Sequence, residues 1–137
     1  IIGMKDSTGN LWDNFKCKNF SMFVGSEKKL LSGLKLGAAG CISATTNVTG
    51  SVAKKVFDDF HAKGESSSDA KLKALRTVFD ETGNLISALH TLKSLENIVY
   101  ANMLPPLELL SEEKKTEMLK KLKNLNFLSK KKYCGLI

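Results

Sequence analysis

Apolar residues in the first half of the chain fall into three short runs, IIGM at 1–4, FSMFVG at 20–25 and GCISA at 40–44. Each has the length and composition of a β-strand. Between and after them the apolar positions return at helical spacing. Leu30, Leu31 and Leu34 give a helix that begins at Glu27 and that Gly37 can end. From Ser51, the residues Val52, Val56, Phe57 and Phe60 form a second apolar face, and Asn10 to Phe15 reads as a turn or short helix. Strands alternating with helices at this interval predict parallel strands joined by right-handed crossovers, and so an α/β fold.

Beyond residue 65 the pattern loses its strands. GESSSD is a polar loop that offers Ser68 as an N-cap, and Ala70 to Phe79 is periodic. ETGNL introduces a second helix reaching about Leu95, and Pro105 and Pro106 then break the chain. Ser111 caps a last helix, with Glu112 and Glu113 placed for its dipole and Met118, Leu119, Leu122 and Leu125 on its apolar side. The expected organisation is therefore an α/β region over 1–65 and a helical region over 66–137.

Composition narrows the class. A chain of 137 residues with 42% hydrophobic content suits one globular domain, and its mean hydropathy is -0.12. No apolar run approaches the ~18 residues of a membrane-spanning helix, and the start lacks the features of a signal peptide. The expectation is a cytoplasmic protein with no membrane partner. Cys17, Cys41 and Cys134 show no paired spacing, and with His61 and His90 they make no recognisable metal site. Reduced thiols and no metal are expected.

The net charge of +7 raises the question of a nucleic-acid partner. Much of the excess is C-terminal, at Lys114, Lys115, Lys120, Lys121 and Lys123, then Lys130, Lys131 and Lys132. The first five lie opposite an apolar helix face and read as its solvated side. No stacking aromatics interleave with them, so nucleic-acid binding is kept only as an alternative.

Three strands, one of them at the very start, make a poor independent sheet, so the chain reads as the C-terminal part of something larger. Within it, GMKDSTGN, FVGSEKKLLSGLKLGAAGCIS, TTN at 45–47 and LPPLELLSEEKK resemble the pyruvate-dependent class I aldolases related to dihydrodipicolinate synthase and N-acetylneuraminate lyase. The resemblance runs from residue 1 to about 128. It implies strands six to eight of an eight-stranded β/α barrel followed by C-terminal helices, roughly half of a fold of about 250 residues.

The resemblance also implies chemistry. Lys5, at the end of the first run, takes the place of the lysine that forms a Schiff base with a 2-keto acid. A lysine amine with an ordinary pKa of about 10.4 is protonated at neutral pH, and attack on a ketone requires the free amine. Desolvation lowers the pKa, so a strand lysine flanked by Ile1, Ile2 and Met4 is expected to be activated by burial. By pattern alone, Lys5 reads first as a lysine snorkelling from a strand end.

Five further substrate contacts follow from the resemblance, each with a plainer reading beside it. Ser7 takes a hydroxyl position facing the substrate, or is a turn residue. Gly25 and Glu27 follow the second strand, where backbone and a polar side chain meet the substrate, or form an ordinary turn. Ile42 supplies a backbone carbonyl at the pyruvate end and Ala44 a size-selecting side chain, or both are core. Asp6 and Asn47 are assigned to loop hydrogen bonding.

Dihydrodipicolinate synthases carry an Asn-Pro-x-Pro-x-Lys motif that ETGNLISALHTLKSL lacks, and the spacings are closer to archaeal 2-keto-3-deoxygluconate aldolases. The expected activity is reversible cleavage of that sugar acid, or also its 6-phosphate, to pyruvate and an aldehyde. Dihydrodipicolinate synthase or N-acetylneuraminate lyase chemistry is the alternative, and a non-catalytic aldolase-like module is one of another class. No cofactor is implied, because the lysine supplies the electron sink. A homotetramer is implied, with Val78, Phe79 and Leu85 meeting helices or another subunit. The carboxylate-binding hydroxyl pair and the proton-relaying tyrosine belong to earlier strands, Tyr100 and Tyr133 being in the wrong region, so this chain alone is expected to be inactive.

Overall fold

The computed structural model describes residues 1–9 and 18–128. Asn10 to Phe15, Cys17, Lys130 to Lys132, Tyr133 and Cys134 lie outside them. The chain divides into two compact units, 1–73 and 74–137.

In the first unit, β1 (Gly3–Asp6), β2 (Ser21–Val24) and β3 (Gly40–Cys41) form a parallel sheet in that order. Lys5 pairs with Phe23 and Phe23 with Gly40, while Asp6 pairs with Val24 and Val24 with Cys41. The strands differ from the apolar runs in their limits. β1 starts two residues late because Ile1 and Ile2 are exposed, which places Lys5 inside the strand. β3 stops after two residues because the chain turns into a helix there: Thr46 Oγ1 donates to Ser43 O and Asn47 N to Ala44 O.

Strand alternation gives the sheet two unlike faces. Met22 and Val24 lie on one, packed with Leu30, Leu31, Leu34, Val56 and Leu72. Val24, Val56 and Leu72 are wholly buried, each contributing about 1.5–3 kcal/mol relative to exposure. The leucines come from a 3-10 turn (Glu27–Lys29) leading into α1 (Leu30–Lys35), where Ser26 Oγ accepts from Lys28 N. Gly37 follows at φ +93°, a left-handed conformation that lets the chain reverse into β3. α2 (Thr46–Lys63) begins five residues before the expected Ser51. Its first buried positions are Thr49 and Ala53, which carry little hydrophobic signal.

α3 (Asp69–Asp80) starts in the first unit, where Ser68 O accepts from Leu72 N, and its later residues, with Val78 and Phe79 buried, belong to the second. Asn84 Oδ1 caps α4 (Leu85–Ser94) by accepting from Ile86 N and Ser87 N, both at 3.1 Å. α5 (Glu112–Asn124) is capped by Ser111 and buries Met118, Leu119 and Leu122. The loop before it is held by Thr91, whose hydroxyl accepts from Leu110 N at 2.9 Å. Lys121 bridges Glu117 at 2.6 Å and Glu81 at 2.9 Å, and these bonds hold its amine above its ordinary range. The lysines of α5 thus include structural partners as well as a solvated face. Among the described residues no helix is long and apolar enough to cross a membrane.

Candidate active site

Parallel α/β sheets bind ligands at the carboxyl ends of their strands, where loops converge. Lys5 is the penultimate residue of β1, with Phe23 beside it in register and Gly40 beyond. Glycines flank Phe23 on both neighbouring strands, and a side chain at either would make only ordinary contact with its ring. A Cβ on Gly3 would stand 3.6 Å from that ring and one on Gly40 3.7 Å.

The expected burial of Lys5 is not found. Lys5 is exposed, as are Ile1, Ile2 and Met4. Met4 shares a side with Met22, opposite Lys5, and Ile1 and Ile2 precede the strand and pack against nothing that covers the amine. Neighbours in sequence were the wrong place to look for desolvation.

The turn after Lys5 is built from its backbone partners. Asp6 is buried, and its Oδ1 accepts from Thr8 N at 2.8 Å and Thr8 Oγ1 at 2.6 Å. Asp6 O accepts from Gly25 N at 2.8 Å, and Lys29 Nζ reaches Thr8 O at 3.1 Å. This leaves Ser7 exposed and pressed against Gly25, whose missing Cβ would lie 2.5 Å from Ser7 Oγ. Ser7 and Gly25 therefore meet.

Ile42 and Ala44 are both exposed at the end of β3. Ile42 N donates to Val24 O at 2.9 Å, extending the sheet contact by one residue. Asn47 Nδ2 donates to Ala44 O at 2.8 Å, a loop bond of the expected kind.

Glu27 is wholly buried. Its Oε2 accepts from Ser43 Oγ at 2.5 Å, and its Oε1 accepts from Thr45 Oγ1 and from Thr49 Oγ1, the latter at 3.0 Å. Its side chain thus faces three hydroxyls of its own protein. Sequence reasoning missed these partners; the one available signal was the pair of threonines four apart, which share a helix face. Lys29, which ties down Thr8, was missed as well. Among the described residues no group of three or more His, Cys, Asp or Glu side chains is arranged to hold a metal ion.

The geometry matches known proteins. The sequence profile of the Dihydrodipicolinate synthetase family matches residues 1–125. An uncharacterised DapA-like lyase of Chloroflexus aurantiacus is 34% identical over 82 residues, 56% of this chain and 27% of that protein. Among solved structures, the Escherichia coli K12 prophage protein YagE, of the dihydrodipicolinic acid synthase family and in complex with pyruvate, superposes with a TM-score of 0.76 at 20% identity, over 93% of this chain and 47% of its own. N-acetylneuraminate lyase of Fusobacterium nucleatum gives 0.77 at 22%, over 94% and 46%. Dihydrodipicolinate synthase of Cyanidioschyzon merolae with lysine bound gives 0.77 at 18%, over 93% and 46%. The chain spans about half the length of these solved proteins and about a quarter of the curated relative. Its fold is the C-terminal part of a (β/α)8 barrel, as the resemblance implied. With its profile match running nearly end to end, this chain belongs to the dihydrodipicolinate synthetase family.

Proposed function

We propose that the protein is a Schiff-base aldolase that reversibly cleaves 2-keto-3-deoxygluconate, with the 6-phosphate as a second substrate, to pyruvate and an aldehyde. The observation that carries this reading is the position of Lys5, an amine at the carboxyl end of a parallel strand with Ser7, Gly25, Ile42 and Ala44 at the loops around that end. The Lys5 amine adds to the keto carbon of the substrate, and loss of water leaves a protonated imine. The bond between C3 and C4 then breaks, its electron pair passing into the imine to give an enamine, while the C4 hydroxyl proton leaves to a base and the aldehyde departs. Protonation at C3 and hydrolysis release pyruvate and restore the amine. The protonated imine is the electron sink, so the reading calls for no separate cofactor.

Ser7 and the Gly25 backbone would contact the hydroxylated part of the substrate, and Ile42 and Ala44 the pyruvate end and its neighbour. We read residues 1–65 as the last three βα units of the barrel and 66–137 as the helical region after them. The same reading makes the protein a cytoplasmic homotetramer. Chemistry of the N-acetylneuraminate lyase or dihydrodipicolinate synthase kind is the second reading, favoured by the names of the solved relatives.

The test is borohydride reduction of the complete gene product with pyruvate, followed by intact mass and peptide mapping. One reduced pyruvate on the Lys5 peptide is expected. No adduct on folded protein, or an adduct elsewhere, overturns the mechanism. Given an adduct, comparison of 2-keto-3-deoxygluconate, its 6-phosphate and N-acetylneuraminate as cleavage substrates decides between the readings.

A further inference from the structure

Glu27 sits two residues beyond Gly25, at the same carboxyl end of the sheet as Lys5, yet it is wholly buried. A carboxylate removed from water is costly unless its lone pairs are filled, and here three hydroxyls donate to it, from Ser43, Thr45 and Thr49. Thr45 and Thr49 stand four residues apart at the start of α2, and the Thr49 hydroxyl also lies 3.0 Å from Thr45 O. Ser43 differs from them. It is only half-buried, and it lies between Ile42 and Ala44, both exposed. Its hydroxyl is drawn inward to Glu27 while its two neighbours face outward.

One carboxylate therefore joins the loop after β2 to the loop after β3. Through Gly25 and its contact with Ser7, the connection extends to the loop after β1. We propose that Glu27 is a positioning residue: it fixes the Ile42 to Ala44 wall of the site by holding Ser43 and Thr45, and it does not touch the substrate. This rests on the reading of the site as a Schiff-base pocket.

The experiment measures the rate of pyruvate capture on Lys5 by borohydride trapping in the complete gene product and in E27A, E27Q, S43A and E27A/S43A. E27A is expected to slow capture roughly tenfold or more, the effect of a misplaced wall. E27Q should recover most of that loss, to within about threefold, because an amide can accept from the threonines and donate to a Ser43 hydroxyl that turns to accept. E27A/S43A should be no slower than E27A alone, since the two side chains act as one unit. If E27A fails to fold, S43A carries the test, with an intermediate loss expected and an unchanged rate counting against the proposal. E27Q as slow as E27A would mean that the charge itself acts on the substrate, and additive losses would mean that Glu27 and Ser43 act separately; either overturns the proposal. Absence of any adduct on the unmutated protein overturns the aldolase reading and this inference with it, whereas a normal rate in folded E27A overturns this inference alone.

Discussion

Gly25 and Ser7 meet so closely that a Cβ on Gly25 would lie 2.7 Å from Ser7 Cα as well as 2.5 Å from its Oγ. A rotamer change can move the hydroxyl but not the Cα. Gly25→Ala must therefore displace backbone, at a cost of about 1–3 kcal/mol in a urea denaturation of the complete gene product. Adding Ser7→Gly should recover only part of the loss, because the Cα remains.

Lys5 separates chemistry from stability. It is exposed on the sheet, so Lys5→Ala should change unfolding free energy by no more than roughly 0.5 kcal/mol. The same substitution should abolish the borohydride-trapped adduct. A large thermal destabilisation with the adduct retained would assign Lys5 to the framework and remove it from the reaction.

Thr91 offers a test in the helical unit. It is 1% exposed, and its hydroxyl is the acceptor for Leu110 N. Thr91→Val keeps the shape and removes the acceptor, which should cost about 1–3 kcal/mol for the unpaired amide. Thr91→Ser keeps the acceptor and removes the methyl, so a loss in Thr91→Ser with none in Thr91→Val would place the contribution in the methyl group.

Asp59 gives a pH dependence with a definite sign. The Ser66 hydroxyl, and after it the Lys55 ammonium, hold its carboxyl below the usual range. A carboxyl lowered on folding contributes stability that is complete above its unfolded pKa of about 3.9 and lost as pH falls through the folded value. Ser66→Ala should move the Asp59 midpoint upward in a carboxyl-carbon NMR titration and leave the protein unchanged near neutrality. The effect is small, since Lys55 lies at the surface and the pair is screened by solvent. A midpoint that stays put would assign the lowering to Lys55.

The alternation of strands and helices was legible because periodicity reports burial, and the three parallel strands and the later helices lie where it put them. The limits were less legible, for physical reasons. Ile1 and Ile2 look like strand residues but find no cover in this chain. The first turns of α2 bury Thr49 and Ala53, a polar and a small residue that a hydrophobic pattern cannot detect. The candidates Lys5, Ser7 and Gly25 come from a family resemblance carried by short motifs, and the fold brings Ser7 against Gly25. The Glu27 cluster could not be read in this way, because its partners lie 16 to 22 residues away and only folding brings hydroxyls to a carboxylate.

That cluster also limits how the sequence can drift. Glu27 shares one carboxylate among Ser43, Thr45 and Thr49, so a change at any of the four alters the surroundings of the others. Loss of the acid alone strands buried hydroxyls, and loss of a threonine alone strands part of the acid, whereas an apolar replacement of the whole set can be nearly neutral. Descent should therefore keep these positions together or exchange them together, and homologues that lack an acid at position 27 should also lack the paired threonines.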